Sequence, residues 1–252
     1  MMRNSLLLLA AAALPAAAPA ATYSVSNVGS LSSGRYGGTD QTRVETSSIS
    51  LRSQVRDWEF GIVLPYLSIE NQSSAALSLG GAVIGSGLGT RRRQSGYGDM
   101  TLRLARQVPL GEIASFQARI AGQIKLPTGA RTMTTGKLDG GLTFELSRQM
   151  GRVTPFVSAG YRTFGDTRLL RLRDGWATSA GMMMTLGKVS LIASHETAQS
   201  PFAGPGSREL FAAASGPLAP GWGWSLFGTK GYSAGAPKMM IGTSLTRSFA
   251  AR

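Results

Sequence analysis

Large apolar side chains alternate with small or polar ones along most of this sequence, and that period-two pattern constrains the fold more than any other feature. Trp58, Phe60, Ile62, Leu64 and Tyr66 form one such stripe, with Glu59 and Gly61 among the residues between them. On an extended strand, successive side chains point to opposite faces, so a stripe of this kind makes one face greasy and leaves the other free. The rule repeats downstream. Met100, Leu102 and Leu104 alternate with Asp99, Thr101 and Arg103. Phe116, Ala118, Ile120, Ile124 and Leu126 alternate with Gln117, Arg119, Gln123 and Lys125. Leu138, Leu142, Phe144 and Leu146 alternate with Asp139, Thr143 and Glu145, and Val157, Ala159 and Tyr161 with Ser158, Gly160 and Arg162. Trp176, Met182 and Met184 continue it, as do Val189 and Leu191, Trp222, Trp224 and Leu226, and Met239, Ile241, Leu245 and Phe249.

From residue 43 onward the pattern predicts eleven strands, over 43–55, 58–70, 97–107, 115–126, 137–148, 153–164, 174–186, 188–198, 207–216, 221–231 and 238–249. Most are longer than the usual 5–6 residues of globular strands and match the ~9–11 tilted residues that cross a bilayer. Single-chain bacterial barrels have even strand numbers, and Tyr23 to Gly34, with Tyr23, Val25 and Leu31 in one parity, supplies a twelfth. The connections alternate strictly between short ones (56–57, 109–112, 149–152, 187–188, 217–221) and long ones (71–96, 127–137, 165–174, 199–207, 232–237). Tight turns at one end and longer loops at the other are the asymmetry of an outer-membrane barrel. The competing arrangement is a soluble sandwich, whose greasy face is covered by a second sheet; it predicts shorter strands and fewer aromatic residues at strand ends. The expected fold is all-β, an antiparallel up-and-down transmembrane barrel of about twelve strands over residues 21–252.

Composition agrees. The 252 residues include 33 Gly, about twice the usual share, which disfavours a helix bundle because each interior Gly costs a helix roughly 1 kcal/mol against Ala. Charged residues make up 15 %, below the ~25 % of soluble domains, as expected of a surface turned to lipid. The formal net charge is nonetheless +13, which implies an anionic partner or solute. There is no Cys and a single His, so a disulfide scaffold, a thiolate site and a multi-His metal site are all excluded, and no cofactor is expected.

Residues 1–20 have the layout of an export signal: Arg3, an apolar run from Leu6 to Leu14, and a cleavage motif at Ala18-Pro19-Ala20. The run is too short for a spanning helix, which needs ~20 residues. Removal of Arg3 with the signal leaves +12. The expected destination is the outer membrane of a Gram-negative bacterium, with the barrel-insertion machinery as a partner during biogenesis. That machinery commonly reads an aromatic last residue, whereas here Phe249 is followed by Ala250, Ala251 and Arg252.

Four short motifs recur in a known order. They are Leu64-Pro65-Tyr66, Ser95-Gly96-Tyr97-Gly98-Asp99, Ile124-Lys125-Leu126-Pro127-Thr128-Gly129 and Gly160-Tyr161-Arg162-Thr163-Phe164-Gly165. In these the chain resembles the outer-membrane barrels linked to the MetA pathway of phenol degradation, a group generally described as transporters. The resemblance implies an outer-membrane barrel that moves small organic molecules. It carries no particular substrate. Residues 75–94, Gly-rich and then basic, depart from the group's pattern and imply a different external mouth.

The parity assignment sends Arg52, Glu59, Asp99, Arg103, Arg119, Lys125, Asp139, Glu145 and Arg162 into the interior. Two uses stand for them: a pore lining that selects anionic or polar solutes, or a ladder of ion pairs that stiffens the wall. Arg91, Arg92, Arg93, Arg131, Arg171 and Arg173 fall in connections assigned to the outside. Arginine pairs bidentately with phosphate, so the expected partner there is lipopolysaccharide, with plain solvation as the alternative. Basic residues scattered over several loops of an exported chain argue against nucleic acid. His195, at a strand end in the lipid-facing parity, raises a lipid-hydrolase alternative, but no G-x-S-x-G elbow accompanies it. A passive channel for small molecules and a closed barrel with an enzymatic or structural role are therefore the two functional expectations, the first with a small-molecule solute as partner.

Overall fold

A computed structural model describes residues 21–36, 40–72, 76–79, 82–84, 91–110, 116–167 and 171–250. The expected export signal, the turn following Leu110 and much of the 75–94 segment lie outside the described residues. The strands are β1 (Thr22–Gly34), β2 (Thr42–Val55), β3 (Trp58–Gln72), β4 (Leu77–Leu79), β5 (Ala82–Ile84), β6 (Arg91–Tyr97), β7 (Met100–Pro109) and β8 (Phe116–Leu126). They continue as β9 (Asp139–Arg148), β10 (Val153–Thr163), β11 (Gly175–Leu186), β12 (Val189–Ala198), β13 (Ser207–Ala219), β14 (Trp222–Gly231) and β15 (Met239–Ala250).

Every wall strand pairs antiparallel with its neighbours, and β1 pairs with both β2 and β15, from Thr22↔Ala250 to Ser33↔Met239. The sheet is closed. β6 and β7 serve as one wall strand against β3, interrupted at Gly98-Asp99. Tyr66 registers with Tyr97 but Val63 with Thr101, so four steps on one side match three on the other. That extra residue is a β-bulge, and it flips the parity between β6 and β7. The wall therefore contains twelve strands, as the alternation predicts. Where a loop was expected over 71–96, β3 runs to Gln72, β6 begins at Arg91, and β4 and β5 form a separate two-stranded hairpin. Three-residue strands carry no period-two signal, and the bulge breaks the one that β6 would have extended.

The tight connections gather at one end, called inner here, and each of the four described turns has a residue in the left-handed region: Arg56 (φ 52), Gly151 (φ 64), Gly187 (φ 60) and Gly221 (φ 71). Two-residue hairpin turns require such a residue, and Gly adopts it without a steric penalty. Both termini of the wall, Thr22 and Ala250, are also at this end.

Outward positions carry Ile49, Leu51, Phe60, Ile120, Ile124, Leu142, Phe144, Val157, Met182, Leu226 and Leu245, all exposed. Aromatic rings bracket this apolar belt. At the inner end Arg106 lies over Trp58 and Arg148 over Phe116, both at 5.1 Å, and Arg247 lies over Trp222 at 5.3 Å and Phe249 at 5.5 Å. At the outer end Tyr66 meets Tyr97 edge-on at 5.3 Å, Tyr161 meets Trp176 at 5.2 Å, and His195 stacks on Tyr232. Two aromatic girdles around a hydrocarbon band are the outward signature of a membrane barrel. Arg247 has the lipid-facing parity but sits at the inner rim, where its Nη1 also donates to the Pro220 carbonyl at 2.9 Å.

Candidate functional site

Inward-facing residues divide the interior into levels. Towards the inner end, Glu59 Oε1 accepts from Arg119 Nη2 at 3.3 Å and pairs with Arg52 Nε at 3.5 Å. Arg103 registers against Gly61, itself opposite Arg52, and so joins the same group. Glu145 registers directly opposite Arg119.

At the outer mouth the four sequence motifs converge on one knot. Lys125 Nζ lies 3.0 Å from Asp99 Oδ2 and 2.7 Å from Asp139 Oδ2, with all three side chains buried. Asp99 also accepts from the Gly129 amide at 2.9 Å and from the Thr134 hydroxyl, and Asp139 accepts from the Gly165 amide at 3.1 Å. The Met100 amide donates to Thr128 Oγ1 at 2.9 Å, and the Gly98 amide to the Pro65 carbonyl at 2.9 Å. A Cβ on Gly129 would come within 2.6 Å of the Gly98 carbonyl carbon, so this crossing admits only glycine. Pro65, Gly98, Asp99, Lys125, Thr128, Gly129 and Gly165, drawn from all four motifs, thus tie the outer loops to the bulged wall.

Above this knot the β4–β5 hairpin folds across the mouth. Leu77 and Ile84 pack with Tyr36 and Met133 on the inward-facing Val44, Leu67 and Ile69. Ala76 and Val83 pack instead with Leu172, Phe164 and Phe202 from two other outer loops. Tyr36 bonds Ser32 Oγ at 2.5 Å, and burial pushes its phenol up to about 12, which keeps it neutral.

Beneath the hairpin is a cavity of about 630 Å³. Arg103 and Arg162 line it, as do Glu196 and Glu209 on β12 and β13. The remaining wall is rich in hydroxyls, among them Ser158, bonded across strands to Ser179 at 2.8 Å; nearer the inner end Ser26 bonds Thr246 at 2.8 Å and Ser225 bonds Ser244 at 2.6 Å. All nine interior residues named from parity face this lumen or its mouth, three in the knot, three around Glu59, and Arg103, Glu145 and Arg162 along the wall. Glu196 and Glu209 were missed. Glu196 alternates with His195 and Glu209 with Leu210, so parity could have found them, but the Leu210-Phe211 pair blurs the stripe on β13.

Of the external arginines, Arg93 pairs with Glu70 at 3.5 Å, and Arg131, Arg171 and Arg173 are exposed on the outer loops. Arg91 and Arg92 begin β6, and their side chains lie outside the described residues. His195 faces outward, its Nε2 bonded to the Tyr232 hydroxyl. Among the described residues no group of three or more His, Asp or Glu side chains gathers to hold a metal.

No protein-family model and no curated protein matches the sequence. Among solved structures the chain is similar to the KdgM porin, with TM-score 0.53 and 9 % identity over 90 % of this chain and 99 % of that one. Others are the CymD monoaromatic hydrocarbon channel (TM-score 0.46, 12 % identity, 94 % and 90 % covered) and the P. putida toluene transporter TodX (0.44, 9 %, 92 % and 90 %). At such identity the likeness to the KdgM porin speaks for the fold alone, that of a porin-like barrel.

Proposed function

We propose that this chain is a passive outer-membrane channel for small solutes. One observation carries the reading: a closed wall with a lipid-facing belt outside encloses a water-compatible cavity lined by charged and hydroxyl groups. An interior meant only to fill the barrel would be packed, whereas about 630 Å³ remains. The reading includes processing after residue 20 and insertion into the outer membrane by the barrel machinery. It also includes kinship with the MetA-linked barrels, supported by the convergence of the four motifs on one knot. Arg131, Arg171 and Arg173, exposed at the outer rim, are the side chains we assign to lipopolysaccharide phosphates, where charge-assisted pairing is strongest.

Planar bilayers test the central claim. Refolded protein that migrates as a compact band on unboiled gels should give discrete conductance steps. If that same folded material leaves the bilayer electrically silent at high loading, the barrel is not a channel.

A further inference from the structure

Four charged residues of the outer cavity remain without an opposite partner. Arg103, Arg162, Glu196 and Glu209 line the same 630 Å³ space, and none takes part in an ion pair among the described residues. The carboxylates are directly opposed in register, Glu196↔Glu209, on adjacent strands and the same face. Like charges in that position repel, and among the described residues no cation stands at ion-pair distance from either. The basic group has the reverse deficit: Arg52 and Arg119 already share the Glu59 carboxylate, and Arg103 stands beside them as a surplus cation.

These two poles are on opposite walls. In the closed order β1-β2-β3-β7-β8-β9-β10-β11-β12-β13-β14-β15, the strand of Arg103 and the strand of Glu209 are half a circuit apart. Arg162 on β10 stands between the poles, separated from Glu196 by β11, and makes no ion pair among the described residues. Once the Lys125–Asp99 pair is set aside, the cavity is neutral overall, with two free cations and two free anions. Its net charge therefore favours neither anions nor cations. The excess of basic side chains that the composition shows resides at the rims of the barrel. Between the poles lie apolar groups, including Val28, Phe211, Phe227 and Met240.

We propose that the outer lumen is a binding chamber for zwitterions, small molecules that carry one cationic and one anionic group on an apolar body. The ammonium goes to Glu196 and Glu209, the carboxylate to Arg103 on the opposite wall, and the body rests on the aromatic wall. A cavity of about 630 Å³ lies within the ~300–1,000 Å³ of small-molecule sites. This inference rests on the channel reading and gives it a solute class.

Three probes separate the charges: phenylalanine, 3-phenylpropionate, which lacks the ammonium, and phenethylamine, which lacks the carboxylate. Each is added at neutral pH to an open channel in a planar bilayer, and the interruptions of the salt current are timed. Phenylalanine should interrupt the current at concentrations about ten-fold lower than either fragment, the factor expected of one further ionic contact. In Glu196→Gln/Glu209→Gln it should fall to the level of 3-phenylpropionate, and in Arg103→Gln to that of phenethylamine. Equal potency of all three on the wild-type channel overturns the proposal, as does the anion acting best with the glutamate variant unchanged. The wild-type comparison decides even if a variant fails to fold. A folded protein that carries no salt current at all removes the channel reading itself, and the chamber with it.

Discussion

Lys125 sits between two carboxylates that would otherwise face one another inside the barrel mouth, and its own side chain is only 9 % exposed. Taking one partner from a buried charge group costs far more than the group adds when complete, typically about 3–5 kcal/mol, because the charges left behind have no water. Lys125→Met should therefore lower the temperature at which the compact gel band is lost, by more than Arg119→Met, whose guanidinium is wetter. A shared transition temperature would show that the knot is peripheral to stability. Parity alone placed Lys125, Asp99 and Asp139 in the interior, because that needs nothing but the pleat. It could not pair Asp99 with Lys125, 26 positions away, since their meeting depends on the bulge at Gly98-Asp99. For the same reason the sequence could not choose between a pore lining and an ion-pair ladder. The structure holds ion pairs at two depths, at Lys125 and at Glu59, while Arg103 and Arg162 line the cavity outside any of them.

Among the elements, the β4–β5 hairpin is the least ordinary, since it is held by apolar contacts to three sides of the mouth and not by the wall's ladder. Among the described residues the isolated bridge Ile84↔Thr134 alone ties its backbone to the neighbouring outer loop. Placing a carboxylate at Leu77 or Ile84 would bury a charge without a partner, and the hairpin would lift instead. Leu77→Asp/Ile84→Asp should thus raise single-channel conductance while leaving the compact band intact. An unchanged conductance would mean that the narrowest point lies deeper, near Arg52, Glu59 and Arg119. Residues 75–94 were legible as a Gly-rich and then basic insertion. Its inward fold was not, because nothing in a run of small apolar residues says which surface will cover them.

At the scale of the whole molecule, two aromatic girdles set a hydrocarbon band, and the cost of a charge depends on depth within it. Leu226→Arg, near the middle of β14 and facing out, should destabilise the barrel by about 2–4 kcal/mol, whereas an arginine at the rim costs roughly 0–1 kcal/mol. Urea midpoints in lipid vesicles would measure the difference, and equal midpoints would contradict a bilayer around this belt. Strand number and orientation were the most legible features, since each long stripe repeats one physical rule and the turns mark its ends. The opposed charges of the lumen were the least, because facing across a closed wall is a property of the circuit and of no single strand. Closure has a further consequence. The seam between β1 and β15 joins the first-made part of the wall to the last, so a product cut short by even a dozen residues would expose two bare margins of peptide groups to hydrocarbon, at several kcal/mol for each group left unsatisfied. Sealing of the wall therefore waits on its last strand, and a truncated copy cannot settle into a smaller working version of itself.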